Sequence, residues 1–385
     1  MSARSSSPVR VVIAGGGFAA LEAALALRAL AGDRVELTLV TPGPGLFYRP
    51  AATSEAFGSG APLTYDLQQI ACDLDMRYHA FALEAVSPLE QRLRLASGLV
   101  VDYDNLIIAT GARAASGIPG ALTFRDQRDI PRFRVILDQV SAGALRRLVF
   151  AVPSRNTWSL PIYELALMSS LLSSEADTEI VIVTPEGRPL EVFGDEPSRA
   201  VAELLRERGI RFLGDSITHS VARDGALTLQ FDAPVPADRV VAVPELRGAK
   251  IAGVPASWSG FIPTDPVGRV EGLSNVYAAG DVTSYPVKQG GIAAQQADLV
   301  AHSIAAEMGL PLKKLRDVRV LRARLLTGDG ALVLRTELDA LGVPTASSVQ
   351  HRETRQAEHL KVFGRYLTPY LSLYGPRLLA DTAAA

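Results

Sequence analysis

The N-terminal residues 9–31, VRVVIAGGGFAALEAALALRALA, constrain the fold more than any other stretch of the chain. The apolar run from Val11 to Ile13 is short enough for a buried parallel strand, and the three glycines after it permit a sharp turn. An alanine- and leucine-rich helix then follows. The spacing of Gly15, Gly17 and Ala20 fits the pattern G-x-G-x-x-G/A, in which small residues let the backbone approach a diphosphate. The stretch therefore predicts a strand–turn–helix unit with a phosphate at the start of the helix.

The composition is that of a globular α/β protein with room for two or three domains. The 385 residues are 48% hydrophobic and 21% charged, which excludes a disordered or fibrous chain. A net charge of −2 gives no positive surface for nucleic acid, so we expect no such partner. Cys72 is the only cysteine, so the chain alone cannot build a disulfide or a Cys-x-x-Cys pair. The histidines lack metal-ligand spacing, and we expect no metal site.

Nothing in the sequence predicts secretion or a membrane-spanning helix. The apolar run near the N-terminus imitates a signal peptide, but Glu22 and Arg28 interrupt it. No stretch of about 18 consecutive apolar residues occurs. We therefore expect a cytoplasmic protein.

A second strand is predicted at residues 35–40, and the residue after it departs from the usual nucleotide-binding pattern. An acid that holds the adenosine ribose commonly stands at this point. Here the position falls on Thr41 or Pro42, which leaves the ribose to a hydroxyl or backbone group. The loop at residues 42–60 is rich in glycine and proline and contains Arg49. It is either a packed surface loop or a cover over a bound ring system.

A second α/β unit begins near residue 147. Strands are predicted at 148–152, 180–184 and 210–213 and helices at 162–172 and 196–208, an order that gives another parallel sheet. Short antiparallel strands at 216–243 are expected to finish the unit.

The first turn of this second unit lacks the glycine pattern. It reads AVPSRNTWSLP, so its nucleotide site is either remodelled or empty. Arg155 in this turn either meets an anion or is solvated. Trp158 is either a core residue or a plug between domains.

A third apolar strand, at residues 106–109, runs into Thr110 and Gly111. Glycine at this point lets the backbone lie close to a flat or charged group. The same residues also fit a buried strand followed by an ordinary turn.

A later segment combines a strand end with a helix start. The strand at residues 276–279 runs into Gly280 and Asp281, whose carboxylate points beyond the edge of the sheet. A helix is predicted over 290–308. Its start beside Lys288 is suited to negative charge.

Four segments in fixed order carry a family resemblance: GGGFAALEA, ATGA at 109–112, NVYAAGD at 275–281 and VKQGGIAAQQAD at 287–298. Together they resemble the FAD-dependent pyridine nucleotide oxidoreductases with two dinucleotide-binding domains, nearest the branch of type II NADH dehydrogenases and sulfide:quinone oxidoreductases. The likeness covers residues 8–310. It implies an α/β fold of two Rossmann-like three-layer domains with a small C-terminal extension. The implied domains are 8–115 with 250–315 for FAD, 116–249 as a second dinucleotide-binding-like domain, and 316–385 as the C-terminal region.

The resemblance implies that FAD lies extended across the first domain. The residues that would contact it are Gly15, Gly16, Gly17, Phe18, Ala19, Thr41, Arg49, Leu83, Thr110, Gly111, Gly280, Asp281, Lys288, Gln289, Gly290 and Ile292. Leu83 would offer its backbone to the adenine, and Asp281 would accept from a ribityl hydroxyl. Residues 288–292 would flank the isoalloxazine, where Lys288 and Gln289 are the candidate catalytic residues that tune the flavin.

Two departures from the family bear on function. One cysteine cannot perform the sulfur chemistry of sulfide:quinone oxidoreductases or disulfide reductases, and the missing glycines put NADH binding in its usual pose in doubt. We expect an oxidoreductase that passes electrons from an unidentified donor, with NAD(P)H as one candidate, through FAD to an acceptor such as a quinone. The alternative is a non-catalytic flavin-holding protein whose second domain binds a partner or a small anion.

The C-terminal region has no recognisable motif. A hairpin is predicted over residues 320–334 around Gly328 and Gly330. The segment 360–379 mixes aromatic and basic residues. It is expected to lie on a membrane surface, to pack on the flavin domain or to meet a partner in a homodimer.

Overall fold

Two parallel sheets organise the molecule. The structure is a computed structural model that describes residues 7–60, 63–173, 178–313, 315, 318–352 and 361–374. Each of the two sheets has five strands, and both combine with helices in the manner of α/β proteins.

The first sheet has the strand order β19-β9-β1-β2-β5, with all pairings parallel. Its strands are β1 (Val9–Ala14), β2 (Val35–Val40), β5 (Met76–His79), β9 (Asn105–Ile108) and β19 (Val276–Ala278). In β1, Val11 and Ile13 face the helices α1 (Phe18–Ala31) and α7 (Gly290–Glu307). The alternate residues Val12 and Ala14 face the opposite side. The strand is thus buried on both faces, as its continuous apolar sequence predicts.

A small antiparallel sheet forms the third layer of this half. It contains β6 (Leu83–Ser87), β7 (Arg92–Leu95) and β8 (Val100–Asp102). Shorter elements complete the half: β3 (Gly45–Phe47) paired with β4 (Thr64–Asp66), and the helices α2 (Ala52–Ala56) and α3 (Leu67–Asp73).

The second sheet has the order β11-β17-β12-β13-β14, again with parallel pairings. Its strands are β11 (Leu122–Thr123), β12 (Arg147–Ala151), β13 (Glu179–Val183), β14 (Arg211–Leu213) and β17 (Arg239–Ala242). The helices of this half are α4 (Ile130–Ser141), α5 (Leu160–Ser173) and α6 (Asp195–Glu207). Two antiparallel ribbons lie beside the sheet: β10 (Arg113–Ala115) with β18 (Glu245–Arg247), and β15 (Thr218–Val221) with β16 (Leu227–Leu229).

One strand prediction from the sequence is corrected by the structure. The antiparallel interpretation of residues 216–243 holds for β15 and β16 but is wrong for β17, which joins the second sheet in parallel between β11 and β12. Residues Val240, Val241 and Ala242 are buried, and such a run fits a central parallel strand. The sequence also predicts short strands within residues 77–86, and the structure has two there, β5 and β6, separated by residues 80–82.

The predicted C-terminal hairpin is confirmed and is part of a larger sheet. Its strands are β20 (Arg319–Leu326) and β21 (Ala331–Leu338), and β22 (Pro344–Arg352) pairs with β21. Alternate residues of β20 enter the core of the second half, among them Leu321 and Leu325.

The last described helix, α8 (Leu367–Tyr374), packs on the first half of the molecule. Its residues Leu367 and Leu371 are buried in the same core as α1 and α7. Of the aromatic and basic segment predicted at 360–379, residue 360 and residues 375–379 lie outside the described residues. None of the described helices is long and apolar enough to cross a membrane.

Candidate functional site

Two helix starts open onto one cavity of about 450 Å³. In α1 the N-cap is Gly17, which has no capping side chain, and the bond from Leu21 N–H to Gly17 O is 3.1 Å long. The N–H groups ahead of this bond remain available to a ligand. In α7 the side chain of Gln289 accepts from Ile292 N–H at 3.0 Å. Since both helices direct their positive dipole ends to the cavity, it suits a negatively charged ligand.

Gly280 lies between these two helix starts. A Cβ atom at Gly280 would lie 3.1 Å from the Cβ of Ala19 and 3.2 Å from the Cβ of Ala293. The residue also has φ +83°, a conformation that side chains rarely adopt. Glycine at this position therefore lets α1 and α7 converge on the cavity.

The three glycines of the first turn have different roles. Gly15 has φ +135°, and a Cβ there would collide with the carbonyl oxygen of Ala109 on the neighbouring strand. A Cβ at Gly16 would press against Leu67 and lie 2.9 Å from Thr41 Oγ1. Gly17 has open space where its Cβ would stand. Gly15 and Gly16 thus permit close packing, whereas Gly17 leaves room for a ligand.

The structure brings most of the predicted cofactor residues to this cavity. Those that line it are Gly16, Gly17, Phe18, Ala19, Thr41, Arg49, Thr110, Gly111, Gly280, Asp281, Lys288, Gln289 and Gly290. Gly15, Leu83 and Ile292 lie outside this lining. The loop at 42–60 contributes a wall of the cavity, including Phe47 and Arg49.

Asp281 and Lys288 form an electrostatic pair at the cavity. Lys288 is buried, donates to Thr283 O and lies 3.9 Å from the ring centroid of Phe261. Burial lowers the pKa of Lys288 to about 8, and the charge of Asp281 opposes this change. Burial raises the pKa of Asp281, and the charges of Lys288 and Arg49 oppose that. Within the described part of the chain, no group donates a hydrogen bond to the Asp281 carboxylate, which leaves it free to accept from a ligand.

A second charged pair, which the sequence interpretation missed, lines the same cavity. Lys361 Nζ lies 2.8 and 2.9 Å from the two carboxylate oxygens of Glu164 and 3.1 Å from Thr53 Oγ1. Thr53 and the backbone N–H of Leu326 also donate to Glu164, at 2.6 and 3.1 Å. The side chain of Glu164 is 1% exposed. The sequence could have indicated this pair, because Glu164 lies in a mostly apolar helix, LPIYELALMSSLL, and a buried carboxylate needs a partner.

A second cavity, of about 580 Å³, lies at the carboxyl ends of β12 and β13. The side chain of Arg155 is exposed, as the solvated alternative expects, and it also donates to Glu191 at 2.8 Å and to Asp215 at 3.5 Å. Glu186 follows β13, where an acid would hold the ribose of a dinucleotide. Residues 341–347, which form part of the turn after β21 and the start of β22, also line the cavity.

The carboxylate of Glu186 is already occupied by hydrogen bonds from its own domain. It accepts from Ser159 at 2.9 Å, Tyr163 at 2.6 Å and Thr184 at 3.1 Å. Burial raises the pKa of Glu186 to about 6, although the three hydrogen bonds act to lower it. The second cavity thus lacks the glycine turn, and its acid is engaged by three donors of its own domain.

The two cavities share a wall. Thr157, Trp158 and Lys288 line both of them. Trp158 is partly buried, and its ring lies 6.0 Å from that of Phe193. Trp158 therefore stands at the junction of the two cavities.

Cys72 is exposed on α3 and lines neither cavity. Among the described residues, no group of His, Cys, Asp and Glu side chains is arranged to hold a metal ion.

The sequence profile of the pyridine nucleotide-disulphide oxidoreductases matches residues 9–149 and 163–304. The chain belongs to this family. Family membership confirms the predicted resemblance, the α/β fold with Rossmann-like units, and FAD as the family's cofactor. It also makes the chain an oxidoreductase by family.

Known relatives agree with this membership. Rhodocoxin reductase from Rhodococcus erythropolis is 25% identical over 298 residues, which are 72% of this chain and 65% of that protein. The chain thus spans slightly less than two thirds of this relative.

Solved structures share the fold at low sequence identity. The sulfide:quinone oxidoreductase of Aquifex aeolicus superposes with a TM-score of 0.78 and 19% identity, covering 89% of this chain and 87% of that one. A ferredoxin reductase from Rhodopseudomonas palustris gives a TM-score of 0.65 and 19% identity, covering 85% and 82%. At this identity the likeness concerns the fold.

Proposed function

We propose that this family member is a FAD-dependent oxidoreductase that passes electrons from a small-molecule donor to a quinone-type acceptor. The observation that carries the proposal is the buried Lys361–Glu164 pair, which lines the same cavity as the two helix starts and Lys288. FAD, when bound, supplies the two-electron chemistry.

The residues at the helix starts are suited to hold this cofactor. The N–H groups at the start of α1, beside the open space at Gly17, would bind the diphosphate. Asp281 would accept from a ribityl hydroxyl, since its carboxylate has no donor among the described residues. Lys288 and the start of α7 would favour negative charge on the flavin.

Lys361 would act on the acceptor. Its ammonium group can donate a hydrogen bond to a carbonyl oxygen that accumulates negative charge as it is reduced. Glu164, with three donors around it, holds Lys361 in place and keeps the cation in the cavity. A quinone presents such a carbonyl oxygen on a flat apolar ring.

The donor is proposed by class alone. The second cavity is separated from the first by Trp158 and Lys288, and its acid and arginine are engaged within the domain. NADH and NADPH are therefore candidates to be tested beside other small reductants. Sulfide oxidation through cysteines is not proposed, because Cys72 lies outside both cavities.

Anaerobic titration tests the proposal. The flavin of the purified protein is reduced with NADH, NADPH or sulfide in turn, or by light if none reacts, and is then mixed with decylubiquinone. We expect rapid return of the flavin absorbance, slowed about 100-fold in Lys361→Met by loss of the hydrogen-bonding cation. The control Lys250→Met changes an exposed lysine outside both cavities. Equal rates for wild type and Lys361→Met would refute the role of the pair, and no reaction with quinone would favour the flavin-holding alternative.

A further inference from the structure

A glutamate in the interior of α1 is fully buried although the rest of that face is apolar. Glu22 accepts from the backbone N–H of Tyr366 at 2.8 Å and from that of Leu367 at 2.7 Å. These two residues stand at the start of α8. Because the first N–H groups of a helix have no partner within it, the Glu22 carboxylate caps α8 from a different element.

The residues that precede α8 begin at the wall of the candidate cofactor cavity, and we name residues 361–366 the C-terminal strap. Its first two residues line the cavity, and their N–H groups both donate to the hydroxyl of Tyr48, that of Val362 at 2.8 Å. At its other end, a Cβ on Gly364 would collide with the Glu22 carboxylate. The strap is thus anchored by Tyr48 and Glu164 at the cavity and by Glu22 at the start of α8.

A second buried carboxyl group meets Glu22 from α7. Asp298 is hydrogen-bonded to Glu22, and its Oδ1 is buried without a hydrogen-bond partner in the described part of the chain. Two carboxyl groups in contact cannot both ionise without strong repulsion, so at neutral pH they share one proton. Burial and the charge of Glu22 raise the pKa of Asp298 to about 8.

The other charged groups around this pair leave it uncompensated. Arg365 in the strap is exposed, and its charge lowers the pKa of Asp298 only in part. His302, one turn further along α7, places Nδ1 3.0 Å from the backbone oxygen of Asp298. Burial lowers the pKa of His302, so it is neutral in this range. Neither residue supplies a buried cation to replace the shared proton.

We propose that Glu22 and Asp298 form a proton-controlled clasp for the C-terminal strap, which holds the strap at the wall of the cavity while one proton is shared and releases it when that proton is lost. Protonated Asp298 donates to Glu22, and ionised Glu22 caps α8. After loss of the proton, two carboxylates face each other beside the strap, and opening lets water reach both.

The direction of the pH effect follows from proton binding. In the closed state, the carboxyl group of Asp298 is buried and keeps its proton up to about pH 8. In the open state, the same carboxyl group is solvated and loses the proton near the ordinary aspartate pKa. Closure is therefore favoured at low pH and weakens as pH rises towards about 8. Between the ordinary aspartate pKa and the raised pKa of about 8, the equilibrium constant for closing falls about tenfold for each pH unit. Above about pH 8 the constant levels off.

Hydrogen exchange of the flavin-loaded protein tests the clasp without any turnover. Protection factors of amides in 361–374, each referred to the unfolded peptide at the same pH, are measured by mass spectrometry between pH 7 and 9. We expect a fall of about fivefold between pH 7 and 8 and little further change above pH 8. A peptide from β12 serves as internal reference. Constant protection of 361–374 across this range would overturn the proposal, whatever the acceptor of the enzyme proves to be.

Three variants separate the clasp from general packing. Asp298→Asn keeps a donor to Glu22 but has no proton to lose, so the strap should stay protected at pH 9. Glu22→Gln loses the charged cap and should reduce protection at every pH. Asp73→Asn removes another acid that contacts α8, through Tyr370 OH at 2.6 Å, and should keep the wild-type pH profile. An unchanged pH profile in Asp298→Asn would contradict the clasp, and the wild-type profile decides the matter if that variant does not fold.

Discussion

Lys361 Nζ lies 2.8 Å from Glu164 Oε1 across 197 residues of sequence, and both side chains line the cavity at which α1 and α7 begin. The pair joins the C-terminal strap to α5 of the second half. Removing one partner leaves the other buried without its counter-charge, which costs more free energy than the pair itself contributes.

Glu164→Gln should therefore lower the free energy of unfolding by about 3 kcal/mol, because it retains the shape of the side chain but strands the Lys361 cation. Chemical denaturation followed by fluorescence measures the change. Glu84→Gln is the matched control, since its ion pair with Arg94 spans 3.6 Å and is about half exposed. We expect the control to alter stability by less than about 0.5 kcal/mol. Equal effects of the two substitutions would be inconsistent with a buried pair.

The contrast between β1 and the charged pair marks what the sequence could predict. The strand and turn could be predicted from a local pattern, because the apolar residues Val11 to Ile13 and the glycines after them are close together in the chain. The partners of Glu164 come from remote segments, so no local pattern brings Lys361 to it.

The pairing of β17 and the contacts of Glu22 also depend on residues that are remote in sequence. The sequence of a short apolar strand such as β17 does not indicate which strand it will pair with. Glu22 appeared only as a charge that interrupts an apolar run, because its partners in α8 and α7 are distant in sequence.

Gly15 and Gly17 should respond differently to alanine. Gly15→Ala places a Cβ against Ala109 O at a φ of +135° and should lower the free energy of unfolding by about 2 kcal/mol or more. Gly17→Ala meets open space, so stability should change little, whereas FAD should bind about tenfold more weakly because the Cβ occupies room beside the diphosphate. Denaturation and FAD titration measure the two effects. Normal stability of Gly15→Ala would argue against the close contact of the strands.

Lys288 should give the bound flavin a pH-dependent potential. Since burial lowers the pKa of Lys288 to about 8, its positive charge is present below that pH and is lost above it. The cation favours the more negative reduced flavin, so the midpoint potential should fall more steeply with pH above about 8. Spectroelectrochemical titration from pH 6 to 10 measures this dependence. In Lys288→Met the additional fall should be absent, and its persistence would assign the titration to another group.

Cys72→Ser should leave both reduction and reoxidation of the flavin unchanged. The thiol is exposed on α3 and lines neither cavity. Stopped-flow absorbance with the best reductant and decylubiquinone measures both half-reactions. A tenfold loss in either would show that sulfur takes part in electron transfer.

The binding of FAD to flavin-depleted protein tests most directly whether the starts of α1 and α7 hold the cofactor. Titration with FAD, followed by quenching of its fluorescence, compares the wild type with Asp281→Ala and with Asp232→Ala, a change of an exposed residue outside both cavities. We expect tight binding by the wild type and by Asp232→Ala, and binding at least about tenfold weaker in Asp281→Ala through loss of a charge-assisted hydrogen bond. A wild-type protein that does not bind FAD, or an Asp281→Ala variant that binds it as tightly as the wild type, would contradict the account.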